Sequence, residues 1–426
     1  MVGCTTVAGV FMFGVHAFMP VFGAASYGLF VALIYLINVS TIPSPGLQTI
    51  FAHEAASVRR EEDGHLLAGN VVGVLLVMTA GWGLGLFAVF LGQEWVLARL
   101  KIENAWALWV TLVAILPYLW LPIFLGVLQG RQAFGYLGAS VLANGAGRFL
   151  TIAAILFLLG NSVSLAMIGP LLGGLVAAGI GAWCCRDLFT RWAPSLSWRW
   201  ILQALPIMVG PGILQFMLAA DALVARARFD EVTSGYYGAA GMVGRGLVMF
   251  VGPVAGVMFP KLVSESSGHK GARLVRDTAL ATGIIVLIVA GGGGLGGVLF
   301  PWLVDLVLQS HLLPEGVGAW LLANREKLEW IARTAPLFLV AMGLLAVANV
   351  FLSHLVAVRA FRETGWLAGI CLVYGVGFLV LPLTVNSQIL WIGIGNAGLL
   401  LGAYVYSRNA SRLATIEGKA KSCGSH

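Results

Sequence analysis

Apolar residues along this chain neither recur at every third or fourth position, as on one face of a soluble helix, nor alternate with polar ones as in a half-buried strand. They run on uninterrupted, in stretches that match the about 20 helical residues needed to cross a hydrocarbon core of ~30 Å. Polar clusters divide these stretches into twelve expected spans, near 2–19, 28–52, 65–92, 106–128, 134–160, 164–185, 200–225, 236–260, 278–300, 330–357, 364–386 and 388–407. Irregular backbone cannot face lipid, and continuous apolar runs are not the alternating strands of a barrel. The expected fold class is therefore an all-α polytopic membrane protein. The first span has no basic leader and runs straight into further apolar sequence, so it reads as a retained helix rather than a cleaved signal.

Composition strengthens this reading. Hydrophobic residues make up 59% and charged residues 10%, with a mean hydropathy of +0.92, against about 45–50% and about 25% in soluble domains. No stretch reads as a separate soluble domain. Charge adds orientation. Sixteen Lys and Arg fall in loops on the side of the termini and seven on the other, with Arg148 and Arg245 inside spans. By the positive-inside bias both termini are expected to be cytoplasmic. The net charge of +7 is thus a topology signal and a surface suited to anionic membrane lipids. No basic stripe with interleaved aromatics occurs, so no nucleic-acid partner is expected. Cys4, Cys184, Cys185, Cys371 and Cys423 lack metal-ligand spacing and read as structural, and neither a metal nor another cofactor is expected.

The chain also repeats itself. Tyr27, Gly28, Pro43 and Gly46 recur as Tyr237, Gly238, Pro253 and Gly256 at an offset of 210 residues. Further on, Leu128, Ala133, Phe134 and Gly138 recur as Leu355, Ala360, Phe361 and Gly365 at an offset of 227. The polar stretch 301–329, read as a loop, accounts for the larger second offset. The expectation is two pseudo-symmetric six-helix lobes in the same orientation, 1–190 and 191–426, the second ending in a short cytoplasmic tail, 408–426. Duplicated helical lobes are a transporter architecture, with a site that opens to each side in turn. Pro43, Pro206, Pro211 and Pro253 are the expected hinges, because proline removes a helical hydrogen bond and permits a kink. The glycine run 291–294 reads as a close-packing face more than as a hinge.

The segment "DALVARARFDEVTSGYYGAAGMVGRGLVMFVGPVAGVMFPKL" (221–262) resembles a stretch of bacterial polysaccharide-export flippases, and "GVLQGRQAFGYLG" (126–138) is similar to their link between the fourth and fifth helices. With "ASYGLF" near the N-terminus, the likeness extends loosely over most of the chain. It points to the polysaccharide/oligosaccharide flippase branch of the multidrug/oligosaccharidyl-lipid/polysaccharide (MOP) exporter superfamily, whose fold is MATE/MOP-like. The resemblance implies a bacterial inner-membrane protein that is not an enzyme and that exports an isoprenoid-diphosphate-linked oligosaccharide by alternating access. Its partners would be that lipid-linked oligosaccharide, membrane lipids and other polysaccharide-assembly membrane proteins.

Such a substrate needs fixed cations for its diphosphate and hydrogen-bonding groups for its sugars. Arg148 lies about 14 residues, or ~20 Å, into its helix, and Arg245 about 9 residues, or ~14 Å, into its own. A mid-membrane Arg costs at least ~2.5–3.5 kcal/mol on insertion scales and so pairs or faces water. Both are candidate substrate ligands, since a guanidinium suits bidentate phosphate contacts; a structural pair is the bland alternative. Asn144 and Gln215 are candidate sugar ligands, as are Asn38, Asn349 and Asn396, although such residues more often join helices. Asp221, the carboxylate well inside an apolar run, and His16, whose side chain ordinarily titrates near neutral pH, are candidates for ion or proton coupling, although a structural partner accounts for Asp221 at least as well and a lone His among apolar residues is more often structural. Tyr27 and Tyr237 read as membrane-interface anchors.

Three rivals remain. A cation-coupled drug antiporter of the same superfamily is disfavoured because the first lobe has no mid-membrane acid, but Asp221 keeps it open. A peptidoglycan-precursor flippase is expected to have more helices and a basic residue on the first. A membrane glycosyltransferase or polymerase would need clustered acids or bases, and 301–329 shows no such constellation.

Overall fold

The computed structural model describes the backbone of residues 2–59, 61–190, 197–264, 269–309 and 314–423. Within these, side chains are left out at 2, 19, 61, 198–199, 253–264, 269–270, 315, 317 and 411–423. The chain opens with α1 (Val2–Gly14), a 3₁₀ turn (Val15–Phe18) and α2 (Met19–Phe22). It continues with α3 (Ala24–Ser40), α4 (Ser44–Ser57), α5 (Glu61–Leu91), α6 (Gln93–Leu100), α7 (Ala105–Gly130) and α8 (Phe134–Leu158). Then follow α9 (Val163–Ala166), α10 (Ile168–Cys184), α11 (Trp198–Arg228), α12 (Glu231–Ser264) and α13 (His269–Gln309). The last are α14 (Glu315–Ala323), α15 (Arg325–Ala357), α16 (Phe361–Val380) and α17 (Val385–Cys423). No strand occurs among the described residues.

Ten helical segments among the described residues are long and apolar enough to span a membrane, and α3 with α4 forms an eleventh, bent by 42°. α12 runs through the remaining expected stretch, 236–260. Large apolar side chains such as Leu84, Phe157, Val298 and Leu379 stand exposed along these helices, an apolar outward face suited to lipid. The protein is a multi-pass, all-α membrane protein.

Two details correct the expected outline. The first span is not one helix: a 3₁₀ turn interrupts it at Val15–Phe18, a tighter winding that often marks a hinge. The stretch 301–329 is largely helical rather than a loop, with α13 continuing through Pro301 to Gln309. Arg325, at the start of α15, ties the two helices together by a bidentate bond to Asp305 (2.6 and 3.0 Å), and its Nε donates to Glu329 (2.8 Å).

The break between α3 and α4 follows from Pro43. Lacking an N–H, Pro43 cannot bond the Val39 carbonyl, which takes the Ile42 N–H instead (3.3 Å). The Asn38 carbonyl thereby loses its helical donor and receives the Thr41 hydroxyl (3.2 Å) and Gln215 Nε2 (3.4 Å). The chain bends at Pro43, and Gln215 of α11 buttresses the bend. Pro206 and Pro211 lie inside α11, which runs on through both. The Pro253 side chain lies outside the described residues.

Packing divides the chain into two compact units, Met1–Gly235 and Tyr236–His426. In the first, α8 and α7 pack on α10, α1 on α8, α4 on α7, and α11 on α3 and α4. Its core gathers Phe51, Val71, Phe124, Ala177 and Leu188. In the second, α15 packs on α13 and α17, and α16 on α17.

The 227-residue echo is one turn built twice. At the α7–α8 junction the N–H groups of residues 131 to 134 bond the carbonyls of Val127, Gln129, Leu128 and Gln132; at α15–α16 those of 358 to 361 bond His354, Val356, Leu355 and Arg359. The αL residue that reverses the chain is Gln132 (φ 56°) in one and Arg359 (φ 55°) in the other. This is the Schellman pattern, although a side chain stands in each case where glycine is usual.

Candidate site around Arg148 in the first unit

Helices α7, α8 and α10 converge on Arg148. Near the middle of α7, Pro122 cannot donate to the Tyr118 carbonyl, which accepts a long bond from Ser44 Oγ (3.5 Å) instead. The Tyr118 hydroxyl donates to Asn144 Oδ1 (2.9 Å). Asn144 and Arg148 are four residues apart and share one face of α8. That face meets α10 at Gly173, where a Cβ would stand 2.7 Å from the Asn144 carbonyl and 2.9 Å from the Arg148 nitrogen. Tyr118 itself lies over Gly174, where a Cβ would come within 2.9 Å of its ring. The glycines let the helices approach closely, and the approach fixes the polar side chains.

The Arg148 guanidinium makes no hydrogen bond to protein among the described residues, and its Nε is buried without a partner. The ionisable groups around it are the phenols of Tyr118, Tyr35 and Tyr27. No carboxylate is among them. The Tyr27 hydroxyl bonds His16 Nδ1 (2.9 Å) in the 3₁₀ turn of the first span. The result is a mid-membrane cation lined by neutral hydrogen-bonding groups.

Arg226 shows what a structurally committed arginine looks like in the same unit. It is 2% exposed, and each nitrogen has a partner: Nε donates to the Leu100 carbonyl (2.9 Å), Nη2 to the Lys101 carbonyl (2.9 Å), and Nη1 to Ser234 Oγ (3.2 Å) and the Ala25 carbonyl (3.4 Å). Lys101, held at φ 52°, in turn donates to the Phe229 carbonyl. Although it lies near a helix end, Arg226 is a buried clasp, and the Leu100 and Lys101 carbonyls it holds are ones that the end of α6 leaves unpaired.

The other candidates fall elsewhere. Arg245 is fully buried in the second unit, its guanidinium 6.0 Å from the Phe338 ring centroid, at the edge of cation–π range. Asp221 is fully buried in α11 and is not among the groups around Arg148. Gln215 braces the α3–α4 bend, and Asn396 donates to the Ala341 carbonyl (2.8 Å). Tyr27 and Tyr237 are not interface anchors, being 1% and 0% exposed; Tyr237 accepts from Gln388 Nε2 (3.0 Å). Tyr118 was missed, since a tyrosine inside an apolar run gives no sign of which way it faces. Among the described residues no cluster of His, Cys, Asp or Glu could hold a metal.

Outside the spans, two charged groups have well-defined partners. Arg131 closes α7 and binds Asp187 through both carboxylate oxygens (2.9 and 2.7 Å), a hydrogen bond that holds its guanidinium above its usual pKa. Asp230 precedes α12 and accepts from the Thr233 N–H (2.9 Å). Its hydrogen bonds to Thr233, side chain first and backbone second, hold its carboxyl below the ordinary range.

No family model matches the chain, and no curated protein matches it. Solved structures do. The lipid II flippase MurJ in an inward closed conformation is similar over 98% of this chain and 90% of its own, with TM-score 0.69 and 10% identity. An inward-facing multidrug resistance MATE transporter of the MOP superfamily is similar over 96% and 94%, with TM-score 0.64 and 14% identity. An outward-facing MATE transporter of that superfamily gives the same coverage and identity with TM-score 0.59. This chain therefore has the all-helical MATE/MurJ-like fold.

Proposed function

We propose that the chain is a membrane transporter of the MOP type that moves an isoprenoid-diphosphate-linked oligosaccharide across the bacterial inner membrane by alternating access, with both termini cytoplasmic. The lobes 1–190 and 191–426 are its working halves. One observation carries the reading: a mid-membrane guanidinium that makes no hydrogen bond to protein among the described residues, its Nε buried, with tyrosine phenols rather than carboxylates as the ionisable neighbours described around it. A charge left so in hydrocarbon is stabilised by an anionic ligand, and a guanidinium grips phosphate through two parallel hydrogen bonds. Asn144 Nδ2, on the amide whose oxygen accepts from Tyr118, supplies a donor for a remaining oxygen. Gln215 acts through the Pro43 bend. The sequence resemblance to polysaccharide-export flippases favours a glycan, such as a cell-surface polysaccharide or lipopolysaccharide precursor, as the headgroup.

A second reading rests on Asp221 and His16. A fully buried carboxylate in α11 and a histidine at the break of the first span are groups through which a cation or proton gradient would drive export, in a flippase or in a drug antiporter. Leaflet translocation by the purified protein in liposomes separates the two. Saturable movement of an isoprenoid-diphosphate glycan, abolished by Arg148→Ala in a folded protein, is the expected result. Absence of any such movement, together with cation-driven efflux of small cations that Asp221→Asn abolishes, overturns it in favour of the antiporter.

A further inference from the structure

Within the second unit, α16 and α17 run antiparallel and leave between them an open groove of about 410 Å³. Trp366, Leu367 and Ile370 form one wall, and Gly398, Gly402 and Tyr406 the other. The groove exists because of the two glycines. A Cβ at Gly398 would meet only Ile370 Cγ2 at 3.8 Å, so the space beside it is open, and one at Gly402 would reach the ends of Leu367 and Ile370 at 2.8 and 3.3 Å. Trp366 and Leu401 at its rim are 68% and 65% exposed.

The end of the groove near the C-terminus carries exposed cations. On α16, Arg362 lies one turn before Trp366, and Arg359 precedes the helix at the tip of the turn. On α17, Leu401, Val405 and Arg408 follow at spacings of four and three, along one face. All three arginines are exposed, and among the described residues Arg362 has a long contact to Glu363 (3.6 Å). Arg359 holds the αL conformation (φ 55°), which is unfavourable for a residue with a side chain.

The repeat shows that the turn does not require this chemistry. The same turn in the first half places Gln132, Gly135 and Ala139 where the second half has Arg359, Arg362 and Trp366. An apolar groove with an aromatic rim and cations at one mouth has the profile of a lipid: an acyl tail along the helices, an interfacial ring, and a phosphate outside.

We propose that the α16–α17 groove binds one anionic glycerophospholipid, its acyl chain along Gly398–Val405 and its phosphate against Arg359, Arg362 and Arg408. The eight residues from 398 to 405 span ~12 Å at 1.5 Å per residue, close to half of the ~30 Å core. That length suits an acyl chain confined to one leaflet. The groove is built within the second unit alone, and the proposal does not depend on what the protein transports.

The test is native mass spectrometry of protein taken from liposomes of equimolar phosphatidylglycerol and phosphatidylcholine. Wild type is expected to retain one phosphatidylglycerol with at least tenfold preference. Arg359→Gln/Arg362→Gln/Arg408→Gln, all on the surface, should abolish the preference, and Gly398→Leu should remove the retained lipid altogether. The equivalent change in the first half, Gln132→Arg, should leave the preference unaltered. Equal retention of the two lipids by wild type, or undiminished phosphatidylglycerol after the Arg substitutions or after Gly398→Leu, overturns the proposal. Displacement of the retained lipid by an equimolar long-chain isoprenoid phosphate would also overturn the assigned occupant.

Discussion

Two arginines of the same unit, Arg226 buried and Arg148 half-buried, should respond to the same substitution in opposite ways. Arg226→Gln removes a guanidinium that satisfies the carbonyls of Leu100, Lys101 and Ala25 and the Ser234 hydroxyl. Leaving even two buried acceptors unpaired at about 1–3 kcal/mol each costs about 2–6 kcal/mol. Arg148→Gln removes a guanidinium that makes no hydrogen bond to protein among the described residues. It also lifts a membrane penalty of at least ~2.5 kcal/mol, so stability should hold or rise. The loss appears in ligand binding instead. A hydrogen bond to a charged group contributes about 1.5–3 kcal/mol, which at about 1.4 kcal/mol per decade is about 10- to 150-fold in affinity for an isoprenyl diphosphate. Thermal unfolding in detergent and equilibrium binding of that ligand, measured on both variants, give the comparison. Should Arg148→Gln destabilise the protein as much as Arg226→Gln, or weaken binding less than threefold, the distinction between a ligand-seeking and a structural arginine is refuted.

Four further outcomes are expected. Gly173→Val should lower thermal stability by about 1–3 kcal/mol through overpacking, since its Cβ lands against the Asn144 and Arg148 backbone; Gly179→Val, where nothing lies within 4 Å, is the control. Tyr237→Phe deprives the buried Gln388 amide of its acceptor and should cost about 1–3 kcal/mol in chemical denaturation. Asp230→Ala removes the bond that caps α12, worth about 1 kcal/mol at neutral pH. Because the folded-state pKa of Asp230 is depressed, that contribution is complete above the unfolded value near ~4 and fades as pH falls through the folded one; a gap between wild type and variant that widens with acid would contradict this. Gln132→Gly relieves an αL side chain and should stabilise by up to about 1–2 kcal/mol in the same assay.

Much of the fold was legible because its causes are local. Uninterrupted apolar runs set the spans, Pro43 set the bend between α3 and α4, and the echo from Leu128 to Gly138 proved to be a repeated turn down to its hydrogen bonds. The 3₁₀ interruption at His16 was not legible, because "FMFGVHAFMP" reads as continuous apolar helix. Arg148 could be named in advance, since any arginine in mid-span needs an explanation. Its surroundings could not: Tyr118 lies 30 residues upstream, and Tyr35 and Tyr27 more than a hundred. The same distance hid Arg226, which sits near a helix end and yet folds back onto carbonyls 125 and 126 residues earlier. Tyr237 resembled an interface tyrosine until its partner, Gln388, arrived from 151 residues away. Spans and bends belong to the segment itself; hydrogen-bond commitments belong to the packing of segments.

The most direct test of the central claim is the structure of the protein with a bound isoprenoid-diphosphate glycan, determined by electron cryomicroscopy in nanodiscs. The account predicts the diphosphate within hydrogen-bonding distance of the Arg148 guanidinium, with Tyr118 and Asn144 beside it. A diphosphate seated elsewhere, with Arg148 still without a partner, would contradict it.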